Sequence, residues 1–368
     1  MEIDNTSRLT AGCTLGVDPD GQEYIVLAAK GSYVIPAEDG AVCKLAGSND
    51  LLNTSDEFWG EPGFSAQRYE VDYALHKPRC DVLLNGTAYA PEGRPIERLQ
   101  VGIQIGSWNK RIDIVGDRVW TEGLSAPTPS SPNPFIRMPI TYDRAFGGTD
   151  KLDPDDETPS AFLPNPSGLG WHRVRNQSRI GGAPLPNTEE PGHPVRSPWG
   201  EYRPMSFGPV ARGWPQRLKY AGTYDQNWTD NVFPFLPEDF DRRYYQAAPE
   251  DQQIDYLQGG ETILLVNLTP EGRTQFRLPK LDLPLVFMKR LGQEFPATPV
   301  VDTIMIEPDR RLVHLTWRAS LSLETDIFEV PEAILGYRSK SWWRARRLGK
   351  TYYPSLKSLV AAKSDADA

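Results

Sequence analysis

Glycine or proline stands at about one position in six of this 368-residue chain, which holds 31 glycines and 34 prolines. An average globular chain carries roughly 12% of the two together. Proline removes a backbone donor and fixes φ, while glycine opens the turn conformations, so regular elements are stopped every few residues. Such a chain builds short strands and ordered loops rather than long helices. Between the stops, apolar side chains alternate. In VGIQIG (101–106), Val101, Ile103 and Ile105 lie two apart, the period of a strand with one buried face. Segments 24–30, 68–75 and 81–90 read the same way, as does 111–120 with Ile112, Ile114 and Val119 on one side. Beyond residue 260, 261–279 and 300–321 read as hairpins with tips at Pro270-Glu271-Gly272 and at Glu307-Pro308-Asp309-Arg310.

The middle of the chain, 121–260, differs. Turn-rich runs at 125–135 and 184–200 propagate neither helix nor sheet, yet aromatic residues crowd 199–245. A disordered linker lacks that aromatic load. The expected fold is therefore mainly β: an antiparallel β-sandwich-like body with a long loop-rich, short-helix cap inserted in the middle. Blocks 1–120 and 261–337 form one discontinuous domain, 121–260 is the aromatic cap, and 261–368 ends in a basic tail. Short helices are expected at 215–221 and 238–248.

A net charge of −9 argues against nucleic acid as the partner. The tail 338–357 reverses that balance with seven Lys/Arg and no acid, and reads first as a solvated helix. The longest apolar run, TILLVNL (262–268), is too short to span a bilayer, so no membrane insertion is expected. The N-terminus has no apolar signal region, which points to a cytoplasmic protein. Cys13, Cys43 and Cys80 are odd in number and far apart, matching neither a disulfide framework nor a zinc knuckle.

Signatures of catalysis are sparse. His76, His172, His193 and His314 are isolated from one another, so no local metal platform arises and no metal or other cofactor is expected. His314 reads as a satisfied core or edge histidine. Nucleophile elbows, a P-loop and a complete dinucleotide fingerprint are missing. Carboxylates beside arginines and aromatics, at Asp143, Asp239 and Asp241, suit either a glycosidase cleft or loop architecture. Neighbouring Asp and Arg more often neutralise than activate each other, which favours architecture. The same reading covers Tyr142, Asp143, Arg144, Gly147 and Gly148 in TYDRAFGG, and Tyr224, Asp225 and Trp228 in AGTYDQNW.

The order of motifs resembles a known family. KPRCDVLLNGTAYAP (77–91), GDRVW (116–120), PITYDRAFGG (139–148), NPSGLG (165–170), FGPVARGWPQR (207–217), AGTYDQNW (221–228) and PFLPEDFDRRYYQAAPEDQQ (234–253) run in sequence. They look like the domain-of-unknown-function family encoded beside type VI secretion effectors. That resemblance implies a non-catalytic adaptor or chaperone. It would hold an effector carrying a PAAR-like head and help to mount it on the VgrG spike. The alternative is a carbohydrate-active enzyme or lectin-like protein. Aromatic and arginine side chains dominate binding hot spots, so the partner face is expected on the cap, at Arg212, Trp214, Arg217 and Tyr224. Trp228 reads instead as the core of a pinned turn.

Overall fold

Most segments in which apolar and polar side chains alternate form sheets. In 68–75 only the end of the strand Gln67–Tyr69 does so, and Glu70 and Asp72 beyond it turn inward onto Arg217 and Lys30. The computed structural model describes residues 1–153 and 155–366, and the chain is mainly β, with helices no longer than Leu356–Ala366. Two compact units divide it: Met1–Arg8, Asp282–Pro299 and Glu324–Ala368 form one, and Leu9–Leu281 with Val300–Leu323 form the other. This division differs from the three blocks expected. Residues 121–260 share a unit with strands from both sides, because pairing links them: Gln253–Ile254 joins the strand Cys80–Leu84, and Thr188–Glu189 joins Trp108–Val115.

The larger unit is organised by nine strands: β1 (Thr10–Val17), β2 (Glu23–Val34), β3 (Cys80–Leu84), β4 (Arg98–Ile105), β5 (Trp108–Val115), β6 (Thr262–Val266), β7 (Arg273–Arg277), β8 (Val300–Glu307) and β9 (Leu312–Ser322). One sheet runs from Gln253–Ile254 through β3, β8, β9 and β2 to β1, with Lys44–Leu45 beside β2. Strand β2 is buried without interruption from Ile25 to Tyr33. The single buried face expected of 24–30 is not found: a strand covered on both faces has no polar side to show, and its side chains are buried in succession. It pairs with β9 antiparallel from Tyr24 opposite Ser322 to Val34 opposite Leu312.

The second sheet has the order Thr188–Glu189, β5, β4, β6, β7. Val101, Ile103, Ile105, Ile112 and Ile114 are buried, with Ile263 and Leu265 opposite Ile105 and Ile103. Gln100 and Gln104 face outward, as the period of two requires. Val119 is exposed, because β5 ends at Val115 before the break at Gly116. Both expected hairpins form, β6–β7 and β8–β9, the second turning through Arg311 in the left-handed region at φ 54°. Not every pairing is antiparallel: β3 and β8 run parallel from Asp81 opposite Thr303 to Leu84 opposite Ile306.

Helices in the middle are shorter than expected, or elsewhere. The one at 215–221 contracts to Pro215–Leu218, and 238–248 holds only a 3₁₀ turn at Arg242–Tyr245. Helix α1 (Gln226–Asn231) begins inside AGTYDQNW (221–228), where a pinned turn was expected.

In the smaller unit, Glu2–Asn5 runs parallel to Glu332–Leu335, which pairs antiparallel with Leu285–Met288, itself paired with Glu294–Ala297. Helix α2 (Lys340–Arg347) follows, its first turn capped by the Ser339 hydroxyl accepting from the Trp342 N–H at 3.1 Å. Its Arg346 pairs with Glu332, and Arg347 with Glu294 at 2.7 Å. No described helix is long and apolar enough to cross a membrane.

Candidate partner-binding site

The Tyr-Asp segments show their chemistry in what their side chains bind. Asp143 accepts from the Ala66 N–H at 2.7 Å and so ties a loop 77 positions away. Burial pushes its carboxyl above the usual range, with that N–H pulling the other way. Asn165 donates to the carbonyls of Tyr142 and Phe146 at 2.8 and 3.1 Å, which joins TYDRAFGG to NPSGLG. Beside it, Phe146–Gly147 pairs with Leu169–Gly170. Gly147 sits at φ 147°, and a Cβ there would stand 2.1 Å from the Asn165 carbonyl oxygen, so only glycine fits. The Gly148 N–H reaches the same carbonyl at 2.8 Å. Arg144 donates to Asn187 Oδ1 at 2.8 Å.

In the second segment, Asp225 caps α1 by accepting from the Trp228 N–H at 2.8 Å. Asp239 accepts from the N–H and hydroxyl of Thr223 at 2.8 and 2.7 Å. Asp241 accepts from the Arg243 N–H at 2.8 Å and pairs with its guanidinium. Each of these carboxylates is committed to a nearby backbone donor.

Two residues expected on the partner face lie in the interior instead. Trp214 is 7% exposed and packs with Ala66, Tyr142, Ala145, Val210 and Ala211, its ring edge-on to Tyr142 at 5.3 Å. Arg217 is buried as well. It donates to both Glu70 oxygens at 2.9 and 3.0 Å and to the carbonyls of Val210 and Tyr244, each at 2.9 Å. Arg212, half-buried, binds the same Glu70 and Asp56 at 3.1 Å. Burial raises the Glu70 carboxyl, but the charge and hydrogen bonds of Arg217, then the charge of Arg212, outweigh it and hold it at about 2. In GWPQR, the aromatic and the arginine are therefore a hydrophobic peg and an ionic clamp. Glu70 itself, in the strand-like RYEVDY, carries no local signal of this role.

What remains on the surface is a knob around α1. No residue of that helix is buried. Tyr224 is 55% exposed, Phe233 66% and Phe235 49%. Trp228 stands between them, edge-on to Tyr224 at 4.8 Å and to Phe233 at 5.5 Å, and its indole N–H donates to the Phe235 carbonyl at 2.9 Å. Trp228 thus props the rings of Tyr224 and Phe233 and holds the backbone at Phe235. Tyr224 was legible as a candidate; Phe233 and Phe235 were missed, although Phe-Pro-Phe in a turn-rich loop is itself an apolar signal.

His314 and His172 are held by polar partners, and Cys43 and Cys80 are buried. His314 meets Glu307 through Nε2 at 2.7 Å and Ser32 through Nδ1 at 3.0 Å. Asp50, Glu307 and His314 bring ligand atoms within 4.8 Å of one another, the one such group among the described residues. Arg310 already bridges its carboxylates, at 2.8 Å to Asp50 and 2.6 Å to Glu307, so an added cation would have to displace a guanidinium. His172 lies 3.4 Å from Asp150, and burial lowers its pKa against the pull of that carboxylate. Cys43 and Cys80 are buried, and burial pushes the Cys43 thiol up to about 12.

No curated protein and no solved structure matches the chain. The family model described as an uncharacterized protein conserved in bacteria (DUF2169) matches residues 20–318, and the chain belongs to that family.

Proposed function

We propose that the chain is a non-catalytic adaptor that binds another protein through the aromatic knob at 223–235. Its partner, on this reading, is a type VI secretion effector with a PAAR-like head, held in the cytoplasm and presented to the VgrG spike. The observation that carries the binding role is α1: it buries no side chain of its own, while Tyr224, Phe233 and Phe235 stand exposed around it. Exposed aromatic clusters held on a fixed support mark contact surfaces, because rigid rings bury much area for little lost entropy. The ordered run of motifs from residue 77 to 253 supports the secretion context. Commitment of Asp143, Asp225, Asp239 and Asp241 to backbone donors favours loop architecture over paired catalytic carboxylates.

Co-expression of the full chain with a type VI effector carrying a PAAR-like head, followed by gel filtration, tests the reading. A shared peak at a larger size supports it. Separate elution of two folded proteins at micromolar concentration contradicts it.

A further inference from the structure

Among the described residues, strand β1 (Thr10–Val17) closes one side of the first sheet and pairs with β2 alone. It buries none of its residues, whereas β2 beside it is buried from Ile25 to Tyr33. Leu15 is 46% exposed, although Ile25 directly opposite it is fully buried. Hydrogen bonding shows which backbone groups look outward. The Asp18 N–H donates to the Gln22 carbonyl at 3.0 Å, which continues the β1–β2 ladder past Val17. Ser32 on β2 donates its N–H to Asn49 Oδ1 at 2.9 Å and accepts from the Ala46 N–H at 2.8 Å, rather than bonding to β9. Backbone bonds alternate from side to side along an antiparallel strand, so the even-numbered residues of β1 bond inward to β2. The N–H and C=O groups of Ala11, Cys13, Leu15 and Val17 therefore point off the sheet. The Leu15 carbonyl accepts from the Thr14 hydroxyl at a long 3.4 Å, and the others have no partner among the described residues.

Strand edges are commonly guarded by charge, proline or a covering loop. Three others in this chain are. β7 carries Arg273 and Arg277 and exchanges main-chain bonds with residues 40–43. Glu294–Ala297 contains Pro296, and Glu2–Asn5 contains Glu2 and Asp4. TAGCTLGV (10–17) holds neither charge nor proline. What matches its alternating donors and acceptors is another extended backbone. The side chains say whose. Laid antiparallel on itself about Cys13, β1 sets Ala11 against Leu15, Gly12 against Thr14 and Thr10 against Gly16, so each larger side chain meets a smaller one. The same register brings outward-pointing groups together, as hydrogen bonding requires. We propose that β1 pairs with β1 of a second copy, joining two of these sheets into one across a two-fold axis at Cys13. The proposal rests on this edge and not on the knob at 223–235.

Sedimentation of the full chain across the micromolar range tests it. One strand pairing is a small interface, so a weak dimer that grows with concentration is expected. Residues directly opposed at a hydrogen-bonded position lie about 5.5 Å apart between Cα atoms, within reach of a disulfide. Diamide should therefore link the dimer through Cys13, while Cys43 and Cys80 are shielded by burial. Cys13→Ser should lose the link and keep the dimer. Cys13→Lys opposes two ammonium groups across the axis and should weaken the dimer at least about tenfold with the melting temperature kept. Leu15→Lys, at an exposed position, installs a guard of the same kind and should also favour the monomer if Cys13→Lys folds poorly. A chain that stays monomeric throughout with no Cys13 link, or a dimer indifferent to both lysine variants, would overturn the proposal. So would odd-numbered β1 amides that gain exchange protection only when a type VI effector with a PAAR-like head is added, because the edge would then take a partner's strand.

Discussion

Arg217 and Glu70 meet from positions 147 apart, and with Arg212 they place one carboxylate between two guanidiniums. Removing one partner of a buried pair strands the other charge, typically at about 3–5 kcal/mol. Glu70→Gln is therefore expected to lower stability by about that amount in urea unfolding. The pH dependence has a definite sign. Glu70 is held at about 2, below its ordinary 4.5, so below 4.5 the unfolded chain binds the extra proton. Its contribution is full above that value and drains away as pH falls toward 2. The wild type should thus lose stability more steeply than Glu70→Gln between pH 4.5 and 2, and parallel curves would speak against the clamp. Gly147→Ala sets a Cβ 2.1 Å from a carbonyl oxygen at a positive φ, and is expected to cost about 2 kcal/mol or more in the same assay. Pairings of this kind are hidden in the sequence because the partner is chosen by the fold. Nothing near Glu70 points to residues 212 and 217, and nothing local says that Trp214 turns inward onto Tyr142.

Hairpins are the elements most legible beforehand, because an alternation of two also states which face is buried. Val101, Ile103 and Ile105 point inward together for that reason. Elements of four to six residues have too few turns for a helical period to emerge, which is why α1 was missed and 238–248 was overread. The N-cap decides such a helix. Asp225→Ala removes the acceptor for the Trp228 N–H and should weaken α1 by about 1 kcal/mol. Faster amide exchange confined to 226–232, with the global melting temperature held, is the expected outcome; unchanged exchange would contradict a capping role. In α2, Arg346 and Arg347 meet Glu332 and Glu294. These are partly exposed pairs worth about 0–1 kcal/mol each, so salt should loosen the helix only slightly. A large salt-induced release, followed by proteolysis within 338–350, would show that they matter more.

At the scale of the molecule, mainly β character was readable from glycine and proline spacing, whereas the division into two units was not. The sequence suggested a discontinuous body of 1–120 and 261–337 with a separate cap. The chain brings β3 beside β8 and β2 beside β9, so strands from both ends share one sheet, and the middle is tied to that sheet rather than set apart. The consequence for function is a rigid support under one exposed group of rings. The direct measurement is the affinity of the proposed partner, an effector with a PAAR-like head, for wild type and for the triple variant Tyr224→Ser, Phe233→Ser, Phe235→Ser, with thermal melts of both. A partner-binding knob predicts a loss of at least about 2 kcal/mol in binding with the melting temperature kept, since all three rings are exposed. Equal affinity of the folded triple variant would contradict it.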